Sequence, residues 1–171
     1  MRPALFIPLL LAGCAGYHVG PIKPKPMEGV RTIAVPSIKN ETLEPRVEVL
    51  IANSIIKQIQ QDGTYRIADE KDADAILECT LSNIDRHPQR SVRGNELQTR
   101  EFDLLLRLHY RITERTTGRQ LDSRTVTGRT SFFVTGSGRV AADVNQDERQ
   151  ALPLAAEDAA TRLVSLISEG W

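Results

Sequence analysis

At 171 residues, with 22 Lys+Arg balanced by 22 Asp+Glu and 40% hydrophobic residues, the chain holds enough apolar material for one folded domain and little more. A formal net charge of zero excludes recognition of nucleic acid by a global positive field, so any charged partner must be read from local clusters. Two cysteines, Cys14 and Cys79, and three histidines provide neither a disulfide framework nor a metal-ligand spacing.

The N-terminus reads as an export signal. Arg2 gives a positive start, and Ala4 to Leu11 form an apolar run too short to span a bilayer, where about 20 residues are needed. Leu11-Ala12-Gly13-Cys14 then resembles a bacterial lipobox, with cleavage before Cys14 and lipidation of its thiolate. One acyl chain holds a protein marginally, at about 0.8 kcal/mol per buried methylene, whereas two or three anchor it stably. Residues 1–13 are therefore expected to be a lipoprotein signal peptide, 14–29 a lipid anchor and Pro/Lys tether, and 30–171 a single domain. The tether reading rests on Gly20-Pro21-Ile22-Lys23-Pro24-Lys25-Pro26, whose spaced prolines favour an extended backbone and whose lysines suit an anionic membrane surface.

Arg31-Thr32-Ile33-Ala34-Val35-Pro36 predicts a short strand stopped by proline. Asn40-Glu41-Thr42 leads into a helix with Pro45 in its first turn. There Val47, Leu50, Ile51, Ile55 and Ile59 form an apolar stripe and Gly63 closes the C-terminus. Tyr65-Arg66-Ile67 begins another short strand. Ala75, Leu77, Cys79 and Leu81 alternate with polar residues, so Cys79 is expected to be a buried strand residue rather than a reactive thiol.

After a polar stretch from His87 to Gln98 comes the strongest periodic signal. Phe102, Leu104, Leu106, Leu108, Tyr110 and Ile112 alternate with Glu101, Asp103, Leu105, Arg107, His109 and Arg111. Thr116-Thr117-Gly118-Arg119 supplies a turn and Leu121 to Val134 returns, which predicts a long antiparallel hairpin. A terminal helix starts near Asn145-Gln146-Asp147-Glu148, with Ala155, Ala159, Leu163, Leu166 and Ile167 on one side. Pro153 is expected in its first turns, because deeper it would cost about 3 kcal/mol.

Neither helix is apolar all round. The fold expected is an α+β two-layer sandwich, two helices packed on one face of a mainly antiparallel four- to five-stranded sheet with a long β-hairpin. A right-handed crossover is expected after the first strand. Hairpin strands of about 45 Å would overhang helices of about 27 Å and leave surface, Leu105 included, for a partner.

Eleven arginines, no lysine and five acids lie between Arg86 and Arg139. Connectivity brings the 86–98 loop and the 135–143 loop to one end of the sheet, so Arg86, Arg90, Arg93 and Arg139 are expected to approach one another there. Arginine's five-donor fork suits phosphates and carboxylates. The alternative is a solvated face of scattered ion pairs. No catalytic constellation is legible: the histidines stand apart, and Gly136-Ser137-Gly138 lacks the lysine of a phosphate-binding loop. No enzyme activity, cofactor or metal is expected.

The chain resembles the lipopolysaccharide-assembly lipoprotein family, LptE. The likeness runs through Cys14-Ala15-Gly16-Tyr17-His18, the strand and amphipathic helix, Ser91-Val92-Arg93-Gly94-Asn95 before the hairpin, Ser131-Phe132-Phe133 at its end and Asn145-Gln146-Asp147 opening an Ala-rich helix. It implies a lipoprotein of the outer membrane, facing the periplasm, that plugs the β-barrel lipopolysaccharide translocon (an LptD-like partner), assists that barrel's assembly and binds lipopolysaccharide. Arg93 matches a basic position of the family's loop, and Arg139 lies in the corresponding second loop. With Arg90 and Arg86 these form the candidate lipopolysaccharide site, while Leu105, Arg107, Arg111 and Thr117 form the candidate barrel contact. The passage from Arg31 to Thr42 is also similar to periplasm-facing lipoproteins of the curli-secretion and penicillin-binding-protein-activator type.

Overall fold

The structure is a computed structural model that describes residues 23–90, 98–136 and 140–169. A single 3-10 turn at Lys25–Met27 leads into strand β1 (Thr32–Ala34), short strand β2 (Lys39–Asn40), helix α1 (Val47–Asp62) and strand β3 (Arg66–Ile67). Three long strands and a helix follow: β4 (Ala75–Arg90), β5 (Gln98–Glu114), β6 (Gln120–Gly136) and α2 (Val140–Glu169). The sheet has six strands in the order β3-β1-β4-β5-β6, with β2 also on β4. It is mixed. β1 pairs in parallel with β3 and with β4, β2 pairs in parallel with β4, and the long β4, β5 and β6 pair antiparallel in turn. The expected α+β sandwich is what the chain forms, with β2 added to the strands legible in the sequence.

Local chemistry explains the elements. In α1, Val47, Ile51, Ile55 and Ile59 recur every four residues and are all buried, while Leu50 sits at the stripe's rim. Gly63 ends the helix at φ 75°, where a Cβ would be strained, and its N–H reaches the Ile59 carbonyl at 3.1 Å. Pro45 precedes α1 rather than sitting in its first turn, because Arg46 turns the chain in a left-handed conformation, φ 66°, before Val47 begins the helix. At the opposite end of the sheet, Asp74 Oδ2 accepts from the amides of Arg31 and Thr32, each at 2.9 Å. Those two bonds hold its carboxyl below the usual range.

Helix α2 departs most from expectation. It starts at Val140 and runs for 30 residues, so Pro153 lies well inside it. The proline removes one amide whose acceptor would be the carbonyl of Arg149, an exposed residue open to water. Against that cost stands a buried stripe of Leu152, Ala155, Ala156, Ala159, Ala160, Leu163, Val164 and Ile167, which holds the helix from Leu152 onward in the core. At about 1.5 Å per residue α2 is about 45 Å long, against about 56 Å for a 17-residue strand. The hairpin therefore overhangs the helical layer far less than an 18-residue helix would leave it.

Gly128 sets the spacing between the layers. A Cβ there would overlap the Ala155 carbonyl and lie 2.7 Å from Ala159 Cβ and 2.8 Å from Ala159 N. The Ala-rich stripe and this glycine together let α2 lie on β6 with backbone almost touching backbone. β6 is an edge strand, and Asp158 closes part of that edge by accepting from the Arg129 amide at 2.9 Å and from Arg162 Nε at 2.8 Å. Burial works against the ionised Asp158, yet these donors hold its carboxyl below the usual range.

Candidate functional site

The helix-free face of the sheet is polar and laced across its strands. In β5 the even positions Leu104, Leu106, Leu108, Tyr110 and Ile112 are buried beneath the helices, so Leu105, Arg107, His109 and Arg111 stand on the other face. Arg111 donates to Glu78 Oε2 through Nε and Nη2 at 3.0 and 2.7 Å, and Arg107 Nη2 lies 3.5 Å from Asp85. Asp103 accepts from Gln89 at 2.6 Å and from Ser131 at 2.8 Å. Leu105 is partly exposed on this face, opposite Arg129 of β6, and Phe133 is exposed further along β6, opposite Glu101. Thr117 is exposed in the hairpin turn, where its hydroxyl donates to Glu114 at 2.5 Å.

The four arginines expected at the far end do not behave alike. Arg93 and Arg139 lie outside the described residues, as does Cys14. Arg90 is the last residue of β4, in register with Glu101. Arg86 is not in a loop: β4 continues four residues past it, and a bulge between Leu81 and Asn83 switches which parity faces the helices. Leu77, Cys79 and Leu81 are core before the bulge, and Ile84 is core after it. Arg86, opposite Leu104, is thereby turned to the helix side. There its Nε donates to Glu148 at 2.7 Å and its Nη2 to Glu44 at 2.6 Å, with a second contact to Glu148. Donation to Glu148 is the main reason the guanidinium is held protonated even more firmly than usual. Arg86 ties α1's entry, β4 and α2 together, with both its partners in this chain.

Arg107 and Arg111, paired with Asp85 and Glu78, likewise spend their charge on carboxylates of this chain. Arg119 and Arg124 pair with Glu114 and Asp122, and Arg115 Nε donates to the Ala73 carbonyl at 2.7 Å. The sequence reading missed Glu44 and Glu148 as partners. Glu148 carried a signal, a carboxylate one turn before Leu152 on an apolar stripe, and it is only 6% exposed. Cys79 is buried as expected, and desolvation first, then the charge of Glu78, pushes its thiol up to about 12.

A second feature was not legible. A groove of about 740 Å³ lies at the N-terminal end of α1, with Val47, Leu50 and Leu152 in its mainly apolar walls and Glu44, Arg46 and Arg149 among its lining. Among the described residues, no group of three or more His, Cys, Asp or Glu side chains is placed to hold a metal ion. No described helix is long and apolar enough to cross a membrane.

The family described as LptE, lipopolysaccharide-assembly, matches residues 30–167, nearly the whole of the folded region. The chain belongs to the LptE family. Its relatives by structure are diverse lipoproteins and share the fold alone. The PelC dodecamer from Paraburkholderia phytofirmans has 14% identity over 88% of this chain and 94% of that one, with a TM-score of 0.52. A minor lipoprotein from Acinetobacter baumannii has 18% identity over 81% and 93%, with a TM-score of 0.51. Lipoprotein B from Nitrosomonas europaea has 12% identity over 81% and 83%, with a TM-score of 0.52. No curated protein matches in sequence. As an LptE member the chain is an envelope lipoprotein of lipopolysaccharide assembly, a non-enzymatic family.

Proposed function

We propose that this LptE protein is anchored to the periplasmic face of the outer membrane by acylation of Cys14, seats in an LptD-like β-barrel translocon as plug and assembly partner, and binds lipopolysaccharide. The observation that carries the reading is the family match over residues 30–167. The polar, cross-paired sheet face supports it physically. The lumen of an outer-membrane barrel is polar and watery, and a plug meeting it with Arg111–Glu78 and Arg107–Asp85 pairs avoids burying apolar surface against water. Leu105, Arg107, Arg111 and Thr117 are the barrel contact in this reading.

Arg93, Arg90 and Arg139 are the phosphate-directed cations. Arg86 is left out, since Glu44 and Glu148 already occupy its fork. Charge-assisted bonds contribute about 1.5 to 3 kcal/mol when sheltered and much less when exposed, so a double reversal is the fairer test. Arg93→Glu with Arg139→Glu should weaken lipopolysaccharide binding at low salt with little change in melting temperature. Unchanged binding by that folded variant would remove these arginines from the site.

A further inference from the structure

β6 ends the strand order, and among the described residues no strand pairs with its outer side. The Arg129 amide turns away from β5 to reach Asp158 on α2. In an antiparallel strand both backbone groups of a residue point the same way, with a period of two. Thr125 and Thr127 therefore present their N–H and C=O groups to that same open side. Beside them runs a groove of about 660 Å³, walled by Thr125, Thr127 and Arg129 on β6 and by Thr161, Ser165 and Leu166 on α2. Asp158 closes the edge at Arg129, so the open stretch ends there. An extended chain matches donors and acceptors at strand spacing in a way that a small molecule does not.

The chain itself delivers an occupant to this end of the molecule. Of the tether expected over 14–29, the part from Lys23 onward is already packed. Met27 is buried, and the 3-10 turn at Lys25–Met27 lies beside β6. Lys23 Nζ donates to the Val30 carbonyl at 2.6 Å and stands 4.6 Å from the centre of the Tyr65 ring. The Tyr65 hydroxyl in turn donates to the Ile167 carbonyl at 2.5 Å, in the same turns of α2 that wall the groove. The residues before Lys23 thus leave from the groove's end of the domain. Residues 14–22 reach about 30 Å at about 3.3 Å each, against about 17 Å for β6 from Thr125 to Arg129. Within them, Gly16-Tyr17-His18-Val19-Gly20 reads as a short strand, an aromatic and a β-branched residue sharing one face between glycines, and Pro21 stops it.

We propose that residues 16–20 add to the outer edge of β6 as a further strand, filling the groove and pairing with Thr125 and Thr127. Connectivity sets its direction. β6 starts near the 3-10 turn and runs away from it, whereas the segment runs toward it, so the new pair is antiparallel. Docking covers an edge that would otherwise be open to other chains. The pairing itself does not depend on acylation, but its consequence rests on the Cys14 reading above. Only Ala15 then separates the anchor from the strand, a span of about 7 Å, so the bilayer meets the domain on its β6–α2 side instead of holding it on a leash of about 30 Å.

Amide hydrogen exchange of the purified full chain in detergent, read at Thr125 and Thr127, tests the pairing. His18→Pro with Val19→Pro removes one amide of each parity, so whichever faces β6 is lost. Both threonines should exchange about tenfold faster or more in that variant than in wild type, while Leu106 in the middle of β5 is unchanged and reports that the fold is kept. Thr127→Pro gives a second reading from the other strand. That amide has no acceptor on β5, so the hairpin should survive, and chymotrypsin should cut after Tyr17 several-fold faster than in wild type. Cleavage at the wild-type rate in Thr127→Pro would overturn the proposal whatever the first variant does. Equally fast exchange at both threonines in wild type and in the double proline variant would overturn it too. Equally slow exchange in both, with the mass of a dimer, would assign the edge to a second copy of the chain and likewise overturn it. Protection present in a chain whose intact mass shows Cys14 unmodified would support the docking and remove only the membrane orientation.

Discussion

Replacing Gly128 by alanine tests how closely the helical layer lies on the sheet. The new methyl would sit 2.7 Å from Ala159 Cβ and 2.8 Å from Ala159 N, and would overlap the Ala155 carbonyl. Carbon atoms prefer about 3.5–4.0 Å, so α2 must retreat by about 1 Å, a gap that forfeits a quarter to a half of the dispersion well for contacts along it. The obstructing atoms are backbone and a rigid methyl, and the helix is fixed at several buried alanines, so no rotamer change gives relief. Overpacking of this kind costs about 1–3 kcal/mol, and the backbone gain from replacing a strand glycine returns about 0.5–1 kcal/mol. A net loss of about 1–2 kcal/mol corresponds to a melting temperature lower by about 2–8 °C in a chain of this size. Thermal unfolding followed by far-ultraviolet circular dichroism measures it. Adding Ala159→Gly should recover only part of the loss, since the Ala155 carbonyl still obstructs. A Gly128→Ala protein as stable as wild type would refute the close approach and with it the stated seating of α2.

Arg86→Met should destabilise by about 1.5–3 kcal/mol because Glu148 is left buried without its donor, and Arg86→Met with Glu148→Met should recover much of it in chemical denaturation. Cys79 has a folded pKa raised to about 12 against about 8.5 unfolded, so its contribution is complete below pH 8.5 and is lost as pH climbs from there toward 12. Melting temperatures should fall across that window, and Cys79→Ala should flatten the fall. Asp74 and Asp158 are depressed, so their contribution is present above about pH 4 and lost as pH falls below it, which a matching acid series checks. Leu105→Asp should leave the fold intact, because the residue stands on the open face, and should weaken capture of a barrel partner; unfolding of that variant would show the face to be core.

What could be read from the sequence was what local chemistry decides. Strict alternation along β5 fixed which side chains face the helices, Gly118 fixed the turn, and Gly63 the end of α1. The misplacements came from effects with no local signature. The bulge at the middle of β4 reverses parity, so Arg86 reads as part of a polar loop yet faces a helix 62 residues later in the chain. Pro153 reads as a helix start because its local cost is large, while the buried alanines that offset it are tertiary. β2 is two residues long and exists only because β4 is beside it. The arginine surplus was legible as a count, but its neutralisation by Glu44, Glu78, Asp85 and Glu148 depends on strand register and helix placement.

The central claim is that this LptE chain works in contact with an outer-membrane barrel and lipopolysaccharide. Affinity capture of the full chain from membranes of its own host, with mass spectrometry of what accompanies it, tests this most directly. The expected result is an LptD-like β-barrel protein recovered with lipopolysaccharide and reduced by Leu105→Asp. Recovery of a peptidoglycan synthase, or of a ring of this chain alone, with no barrel protein would contradict it.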